Sequence, residues 1–350
     1  MAKKSWGLPY MGSKNSIAKD IVNALPRGER LVDLFAGGCA ITDCALKNTN
    51  KFSRFLVNDL NGWSPQTYVK ALAGGFKDEE RWISRKDFFR MKDTDQYVNL
   101  CFSFGNNLKD YMYATELEPY KRALHHIIFW EDYIPMGVIC PQVVDIIKEY
   151  CKGKDRKGRR LASGYAIADH IKQKGSVEYW QSNPMFRSVK VKWSPERRGM
   201  KGSELANNTL KDIAPQPMLV SLERLQSLER LERLQNIEDM TERASLGPHD
   251  MFIETSSISY ADYAYRDGDV VYCDPPYKNT KDYGIKFDSD AFWEWARTRD
   301  YPVYVSEYQA PEDFVSNWSK EKRSILNDKS PTAPRTEHLF VHKRFADATP

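Results

Sequence analysis

The sequence lacks the features of membrane proteins, secreted proteins and zinc proteins. No apolar run approaches the roughly 20 residues that a membrane-spanning helix needs, and the opening MAKKSWGLPYMGSK contains no signal-peptide core. The 6 cysteines are scattered and include no Cys-x-x-Cys pair, which argues against a zinc site or a disulfide framework and is typical of a reducing compartment. We therefore expect a cytoplasmic protein that neither enters a membrane nor holds a metal ion.

A strong net charge is also absent. The formal charge is +4 over 350 residues, which permits a nucleic-acid partner without requiring one, so the positions of the basic residues are more informative than their number. Hydrophobic residues make up 41% of the chain and aromatic residues 13%. This composition is enough to bury a sizeable core and excludes a mainly disordered chain.

Two stretches of the chain, within 1–69 and 250–350, alternate predicted strands with predicted helices. The first has a helix capped by Ser13, strands at 30–35 and 54–57, and a helix at 40–46 between them. The second has strands at 269–273, 302–306 and 337–342 and a helix at 289–297. Repeated strand–turn–helix units predict an α/β fold with a mostly parallel, Rossmann-like sheet and helices on both faces.

The segment between these stretches, 70–249, differs in character. It holds two basic stretches, 152–160 and 186–201, the second of them interleaved with aromatic residues. We predict that it forms an inserted, largely helical domain that recognises the substrate, while 1–69 and 250–350 form the sheet domain. A repeat at 221–235, SLERLQSLERLERLQ, has leucines at every third position. Because this stripe winds around a 3.6-residue helix, it favours a helix with a DNA or partner surface over a coiled coil.

The sequence Asp274-Pro-Pro-Tyr277 follows a predicted apolar strand, at the edge where open α/β sheets bind ligands. Pro275 and Pro276 fix the φ angles and stiffen the loop. An exocyclic aromatic amine is a poor nucleophile because its lone pair is delocalised into the ring. A carboxylate and a backbone carbonyl that each accept one N–H favour the pyramidal nitrogen, and Tyr277 offers a flat face for a base. The same residues also suit a rigid turn, so the motif alone does not decide.

Two further motifs stand at predicted strand ends. Asp33-Leu-Phe-Ala-Gly-Gly38 places an acid before a glycine turn and a helix N-terminus, where a ligand can approach the backbone closely. Because Cys39 follows Gly38, the pyrophosphate pattern G-x-G-x-x-G is absent, which favours a nucleoside without phosphates. Asp59 closes the second strand, where an acid binds ribose hydroxyls, although a helix or turn cap is an equally good use for it.

In this order, the motifs resemble those of the Dam-type DNA N6-adenine methyltransferases. The resemblance covers roughly 6–62 and 250–345 and rests on LPYMGSK at 8–14, DLFAG at 33–37, VNDLN at 57–61, SYAD at 259–262 and VYCDPPY at 271–277. It implies an enzyme that uses S-adenosyl-L-methionine to methylate an adenine flipped out of double-stranded DNA, and a sheet whose last strand is antiparallel.

The resemblance also implies roles for individual residues. Asp274, Pro275, Pro276 and Tyr277 would form the catalytic loop. Lys14 would lie near the carboxylate of the cofactor and Asp262 near its adenine. The residues implied to contact the cofactor are Tyr10, Lys14, Asp33, Phe35, Ala36, Gly37, Gly38, Asp59, Asp262 and Asp274.

This sequence departs from the family pattern in two places. Cys39 replaces the second glycine of F-x-G-x-G, and we expect Gly38 to compensate. The insert is longer than in compact members, so the target sequence cannot be carried over. We predict DNA-phosphate contacts from its basic residues. They are Lys152, Lys154, Arg156, Lys157, Arg159, Arg160, Arg187, Lys190, Lys192, Arg197 and Arg198.

Alternative functions remain open at this point. One is a catalytically inactive DNA-binding protein that retains a methyltransferase shell, although intact Asp33, Asp59 and Asp274 argue against it. Another is an amino methyltransferase acting on cytosine N4, on RNA adenine or on a protein amide. We expect a monomer or weak dimer, and the repeat suggests a phage or mobile element. Whether a restriction enzyme acts beside it is left open.

Overall fold

The computed structural model describes residues 5–174, 179, 181–188, 190–195, 215–221, 226–239, 252–276, 287–322 and 335–348. The chain divides into two compact units, residues 1–78 with 230–350, and residues 79–229. The second unit lies inside the predicted insert 70–249. The role of that insert in target recognition stays a prediction.

The first unit is built on a seven-stranded sheet with the order β5-β2-β1-β6-β7-β9-β8. Strands β5, β2, β1, β6 and β7 are parallel, whereas β9 is antiparallel to β7 and to β8. This confirms the predicted α/β sheet with an antiparallel last strand. The strands, including the β3–β4 hairpin of the second unit, are β1 (Arg30–Asp33), β2 (Arg54–Asn58), β3 (Lys190–Pro195), β4 (Pro215–Ser221), β5 (Phe252–Ser256), β6 (Asp269–Cys273), β7 (Val303–Glu307), β8 (Phe314–Lys322) and β9 (Arg335–His342).

Helices cover the sheet and make up most of the second unit. In chain order they are α1 (Ala18–Ala24), α2 (Ala40–Asn48), α3 (Trp63–Leu72), α4 (Arg85–Met91), α5 (Gln96–Phe102), α6 (Glu118–Trp130), α7 (Ile134–Ile139), α8 (Val144–Cys151), α9 (Arg156–Lys174), α10 (Pro184–Ser188), α11 (Gln226–Asp239) and α12 (Ser289–Thr298). None of the helices in the described part of the chain has the length and apolarity to cross a membrane.

The sheet carries a separate hydrophobic core on each face. On one face, Ile21 and Val22 of α1 and Cys44 of α2 pack with Leu31 of β1 and Tyr272 of β6. On the other face, Phe292, Trp293 and Trp295 of α12 pack with Val32 and Val271 of the same two strands. Since side chains alternate along a strand, β1 and β6 are buried on both sides, as central strands of a parallel sheet should be.

Local features of the first unit differ from the prediction. Ser13 makes no side-chain capping bond, and the predicted single helix is a short 3-10 turn, Lys14–Ser16, followed by α1, which begins after Ile17. The edge strand β8 was not predicted, because its sequence FVSNWSKEK reads as polar. Charged and polar residues are the usual composition of an edge strand that must not pair with other chains.

The described part of the repeat, 226–235, lies in a helix, α11, whose leucines are buried. Within α11 the residues Leu228, Leu231, Leu234 and Ile237 are all buried, with exposures of 4%, 1%, 0% and 3%. A three-residue spacing rotates by about 60° per step on a helix, so four such residues cover roughly half of its circumference. The helix is therefore buried on a broad face through these residues. The expected helix is present, and its use as a DNA or partner surface stays a prediction. Residues 222–225 of the repeat lie outside the described residues.

Candidate active site

The candidate site lies where the chain reverses its direction of progress across the sheet. From β1 the chain continues to β2 and β5 on one side, and β6 and β7 lie on the other. Asp33 is the last residue of β1, paired in register with Tyr272 of β6, and Asp274 follows directly after β6. Ligands of open α/β sheets bind at the carboxyl ends of the strands at this kind of switch point.

Lys14 joins Asp274 to a second carboxylate that the sequence motifs did not identify as part of the site. Its Nζ atom lies 2.8 Å from Oδ1 of Asp274 and 3.3 Å from Oε1 of Glu337, a fully buried residue of β9. Burial alone lowers the pKa of an ammonium group, but the two carboxylates outweigh it and raise the pKa of Lys14. The lysine therefore stays charged and holds the Asp274 carboxylate against the sheet edge.

Asp33 is a buried acid that keeps one unused oxygen. Its Oδ2 accepts a hydrogen bond of 2.9 Å from Oγ1 of Thr42, whereas Oδ1 is buried without a hydrogen-bond partner among the described residues. Burial raises the pKa of Asp33 to about 7, the Thr42 bond opposes the rise, and the nearby charges of Asp274 and Asp59 add to it. Such an oxygen is an acceptor prepared for a cationic or hydrogen-bond-donating ligand.

Asp59 is tied to the glycine turn. Its Oδ2 accepts the backbone N–H of Gly37 at 2.8 Å, and its Oδ1 accepts that of Asn61 at 2.9 Å. Burial raises the pKa of Asp59, although these two donors oppose the rise. A carboxylate has about four lone-pair positions, so both oxygens can still accept bonds from hydroxyl groups.

Asn58, next to Asp59, fastens three segments together at the sheet edge. Its Nδ2 donates to the carbonyl oxygens of Leu34 at 2.9 Å and Ile258 at 3.1 Å. Its Oδ1 accepts from Oγ of Ser256 at 2.7 Å and from the backbone N–H of Ile258 at 2.9 Å. The amide is fully buried and satisfied, so it fixes the ends of β1, β2 and β5 relative to one another.

The N-terminal segment packs directly on the glycine turn. Leu8 donates its backbone N–H to the carbonyl of Gly38 at 2.7 Å. A Cβ atom on Gly38 would lie 2.6 Å from Cβ of Tyr10, and one on Gly37 would lie 3.2 Å from the Tyr10 ring. The glycines are thus required for contact with the chain itself, and this contact places Tyr10 beside the turn.

The predicted compensation of Cys39 by Gly38 was wrong. The left-handed conformation in this turn falls on Gly37, with φ +47°, and on Cys39, with φ 58°. Gly38 is not left-handed, and its missing side chain serves close packing. Cys39 is fully buried and adopts the backbone conformation that a glycine at this position would adopt without strain.

Replacing Cys39 with glycine is expected to give a more stable protein than replacing it with alanine, by about 1 kcal/mol. Both changes delete the thiol and leave a similar cavity, but only glycine removes the cost of a Cβ in the left-handed region. Urea unfolding of Cys39→Gly and Cys39→Ala measures the difference. Equal stability, or a more stable alanine variant, would contradict the assignment of strain to this residue.

Aromatic rings line the site beside Phe35. The centroid of the Phe35 ring lies 5.7 Å from Tyr260, 5.8 Å from Phe287 and 5.6 Å from Phe292. Tyr260 begins a short 3-10 turn that ends at Asp262, and Asp262 is exposed. Tyr260 was not among the predicted site residues, because a single aromatic residue in a loop gives no periodic signal.

The structure brings most of the predicted site residues to one sheet edge. Tyr10, Lys14, Asp33, Phe35, Ala36, Gly37, Gly38, Asp59 and Asp274 belong to the segments described above, and Asp262 to the adjoining turn. Ala36 donates its N–H to the carbonyl of Asn58 at 2.9 Å. Pro275 is buried after β6. Tyr277 lies outside the described residues.

The basic residues predicted to contact DNA differ in their surroundings within the second unit. Arg159 is buried, and its guanidinium donates to the carbonyl of Ile128 at 2.8 Å and to Glu131 at 2.6 Å. It therefore stabilises the fold and is not available to a phosphate, a correction to its predicted role. Other members of the group are Lys152, Lys154 and Lys157, which are exposed, Arg156, whose guanidinium lies 5.1 Å from the Phe129 ring centroid, and Arg160, whose Nη1 lies 3.2 Å from Glu229.

The remaining basic residues are placed only in part. Lys190 and Lys192 lie in β3, which pairs antiparallel with β4. The side chains of Arg187, Lys190 and Lys192, and the whole of Arg197 and Arg198, lie outside the described residues. In the described part of the chain, no group of three or more His, Cys, Asp or Glu side chains could hold a metal ion.

Comparisons with known proteins support the resemblance to the Dam-type enzymes. The model for the D12 class N6 adenine-specific DNA methyltransferases matches residues 10–130. The chain is similar to the Retron Ec67 DNA adenine methylase of Escherichia coli, with 22% identity over 352 residues that cover 95% of this chain and 90% of that protein. These findings support a Dam-type family of DNA adenine methyltransferases and indicate that the protein is an enzyme.

Proposed function

We propose that this chain is a Dam-type enzyme and that it transfers the methyl group of S-adenosylmethionine to N6 of an adenine rotated out of double-stranded DNA. The observation that carries the proposal is the convergence of Asp274, Lys14 and Asp33 at the switch point of the sheet. Asp274 lies directly after the buried strand β6, and Pro275 follows it in a stiff loop.

The residues present fit S-adenosylmethionine better than a phosphate-bearing cofactor. This ligand is a sulfonium cation with an ammonium group, a carboxylate and ribose hydroxyls. The buried Oδ1 of Asp33 has no hydrogen-bond partner among the described residues and suits a positive or N–H-donating group. Asp59 suits the ribose, and the rings around Phe35, with Asp262 in the adjoining turn, suit the adenine. Tyr10 and Lys14 would hold the methionine portion.

The chain's own contribution to the reaction is to activate and orient the target amine. Asp274 and the carbonyl oxygen of Pro275 each accept one N–H of adenine N6, which favours the pyramidal nitrogen with a localised lone pair. Bound S-adenosylmethionine supplies the electrophilic methyl group. The buried ammonium of Lys14, 2.8 Å from Asp274, fixes the carboxylate in the orientation that receives the amine. Tyr277 would stack on the base, and alignment of the two reactants supplies much of the rate.

DNA is proposed to lie along the basic residues of the second unit. Lys152, Lys154 and Lys157 are exposed and suited to phosphate contacts. Arg156 and Arg160 are half-buried and would reach DNA only with part of their guanidinium groups. The predictions for Arg187, Lys190, Lys192, Arg197 and Arg198 stand on their sequence alone.

Expression in a bacterial host that lacks adenine methylation tests the proposal. We expect its DNA to resist restriction enzymes that N6-methyladenine blocks, and nucleoside mass spectrometry to detect N6-methyladenine. Titration of the purified protein with S-adenosylmethionine should show saturable binding. Unmodified DNA together with no cofactor binding would instead support an inactive DNA-binding protein, and methylated cytosine or RNA adenine would identify a different acceptor.

A further inference from the structure

Arg233, on the repeat helix α11, reaches the backbone of the N-terminal segment. Its Nε donates to the carbonyl oxygen of Gly7 at 2.8 Å, and its Nη2 donates to that of Trp6. Burial lowers the pKa of Arg233 to about 10, so the group stays protonated at neutral pH. Hydrogen bonds from a charged donor to carbonyl oxygens in a buried setting are among the stronger ones in proteins.

The two carbonyls belong to a segment that is held from its other side by α2. The backbone N–H of Gly7 donates to Oδ2 of Asp43 at 2.8 Å. Asp43 also accepts from the hydroxyl of Tyr68 at 2.9 Å and pairs with Lys47 at 2.6 Å. Both backbone polar groups of Gly7 are therefore hydrogen-bonded to side chains: its N–H to the carboxylate of Asp43 and its carbonyl oxygen to the guanidinium of Arg233.

Residues 6–8 are also held in one conformation by close packing against the glycine turn. Gly7 is left-handed at φ +63°, and a Cβ on it would lie 2.1 Å from the carbonyl oxygen of Gly38. That same oxygen accepts the N–H of Leu8. A shift of residues 6–8 would therefore move Tyr10 relative to the glycine turn.

We propose that Arg233 is a positioning residue for the S-adenosylmethionine site, acting by fixing Trp6 and Gly7 so that Tyr10 and Lys14 meet the glycine turn and Asp274. The inference rests on the proposed function. It assigns a structural role to the leucine–arginine repeat, in which the leucines bury the helix and Arg233 reaches the N-terminal segment that carries Tyr10 and Lys14. In this proposal Arg233 acts only through its hydrogen bonds to the backbone of Trp6 and Gly7.

Gln235 offers a matched control on the same helix. Its Nε2 donates to the carbonyl oxygens of Phe76 and Lys77, each at 3.0 Å, so it also makes two side-chain bonds to backbone carbonyls within the same unit. These carbonyls do not belong to the segment that carries Tyr10 and Lys14. Arg233→Met and Gln235→Met each delete the donors of one side chain while keeping an unbranched stem.

We expect Arg233→Met to raise both the dissociation constant and the KM for S-adenosylmethionine at least tenfold, with kcat at saturating cofactor within threefold of the unsubstituted protein. Arg233→Lys keeps the positive charge but loses the two-pronged guanidinium group. Its dissociation constant and KM for S-adenosylmethionine should lie between those of the unsubstituted protein and Arg233→Met. Gln235→Met should lower the melting temperature without changing the affinity for S-adenosylmethionine. In hydrogen exchange without cofactor, the amides of Gly7 and Leu8 should exchange faster in Arg233→Met alone.

Each outcome decides between the claims. Equal cofactor affinity in Arg233→Met and the unsubstituted protein, or equal losses in the Arg233 and Gln235 variants, would overturn the positioning role. If Arg233→Met does not fold, the same comparison is made between Arg233→Lys and Gln235→Met. Failure of the unsubstituted protein to bind S-adenosylmethionine would overturn the proposed function instead. In that case, hydrogen exchange still tests the positioning role by itself, because unchanged exchange at Gly7 and Leu8 in Arg233→Met would refute it.

Discussion

Replacing Asp274 with alanine is expected to lower kcat for DNA methylation about a hundredfold to a thousandfold, as loss of a group that stabilises a transition state commonly does. The residue follows β6 at the switch point of the sheet, and its Oδ1 lies 2.8 Å from the ammonium of Lys14. Without the carboxylate, one amine N–H loses its acceptor and the nitrogen lone pair stays delocalised in the ring. DNA affinity should change little, because we propose that the backbone of the duplex is bound by basic residues of the second unit. Single-turnover methylation and a DNA-binding titration measure the two quantities.

A control must separate catalysis from the loss of a carboxylate in general. Asp313 is a suitable match, because its carboxylate forms an ion pair with Arg297 in the same unit but lies outside the site. Asp313→Asn should keep its kcat while losing some stability. Near-normal turnover by Asp274→Ala, or an equal loss in both variants, would refute the role of Asp274.

A second large effect is expected from pH through Asp33. Burial raises the pKa of this acid to about 7 in the folded protein, while an unfolded aspartate titrates near about 3.9. Between these values the folded state binds more protons than the unfolded state, so the stability from this group is fully present below pH ~4 and is lost as the pH rises to about 7. The total loss amounts to about 4 kcal/mol.

Asp33→Asn isolates this contribution. Asparagine has nearly the same shape, can still accept from Oγ1 of Thr42 and does not titrate. The free energy of unfolding of the unsubstituted protein, relative to Asp33→Asn, should fall between pH 4 and pH 7 and then level off, as measured by urea denaturation at several pH values. A constant difference across this range would show that Asp33 is already ionised in the folded protein.

The same shift predicts linkage to the cofactor. A cationic ligand next to Asp33 favours the ionised acid, so binding of S-adenosylmethionine at pH 7 should release a fraction of a proton. Calorimetry in buffers of different ionisation enthalpy detects this release, and Asp33→Asn should abolish it.

The sheet was the most predictable part of the molecule. The strand β6 occurs at the predicted residues, 269–273, because DVVYC is apolar on both faces and is bounded by polar residues and by Pro275. The prediction of β9, at 337–342, missed its first residues, which are polar. The motifs at Asp59 and Asp274 were found for the same reason, because each follows a predicted apolar strand. Asp33 is the last residue of β1, although the apolar run continues through Leu34 and Phe35 and the predicted strand included them.

The remaining features of the site depend on contacts between distant residues. The ion pair between Glu337 and Lys14 could not be predicted, because nothing in the residue pattern of β9 indicates that the two side chains meet. The left-handed backbone conformation was expected at Gly38 but occurs at Cys39, because the backbone of that turn is set by packing against the N-terminal segment. The burial of the leucines in the repeat was also not predicted. Their three-residue spacing does not match the narrow apolar stripe of a coiled coil, although it suits a helix that is buried on a broad face.

The bridge from Lys14 to Asp274 and Glu337 has a consequence for the order in which the enzyme matures during synthesis. Its members come from the segment before α1, from the loop after β6 and from β9, which is translated after both. A nascent chain that already contains the whole catalytic loop still lacks the carboxylate of Glu337, and β8 and β7 still lack the strand between them. In the proposed mechanism, catalytic competence should therefore arise only once β9 has been translated, so that shorter nascent chains on the ribosome leave the genome unmarked.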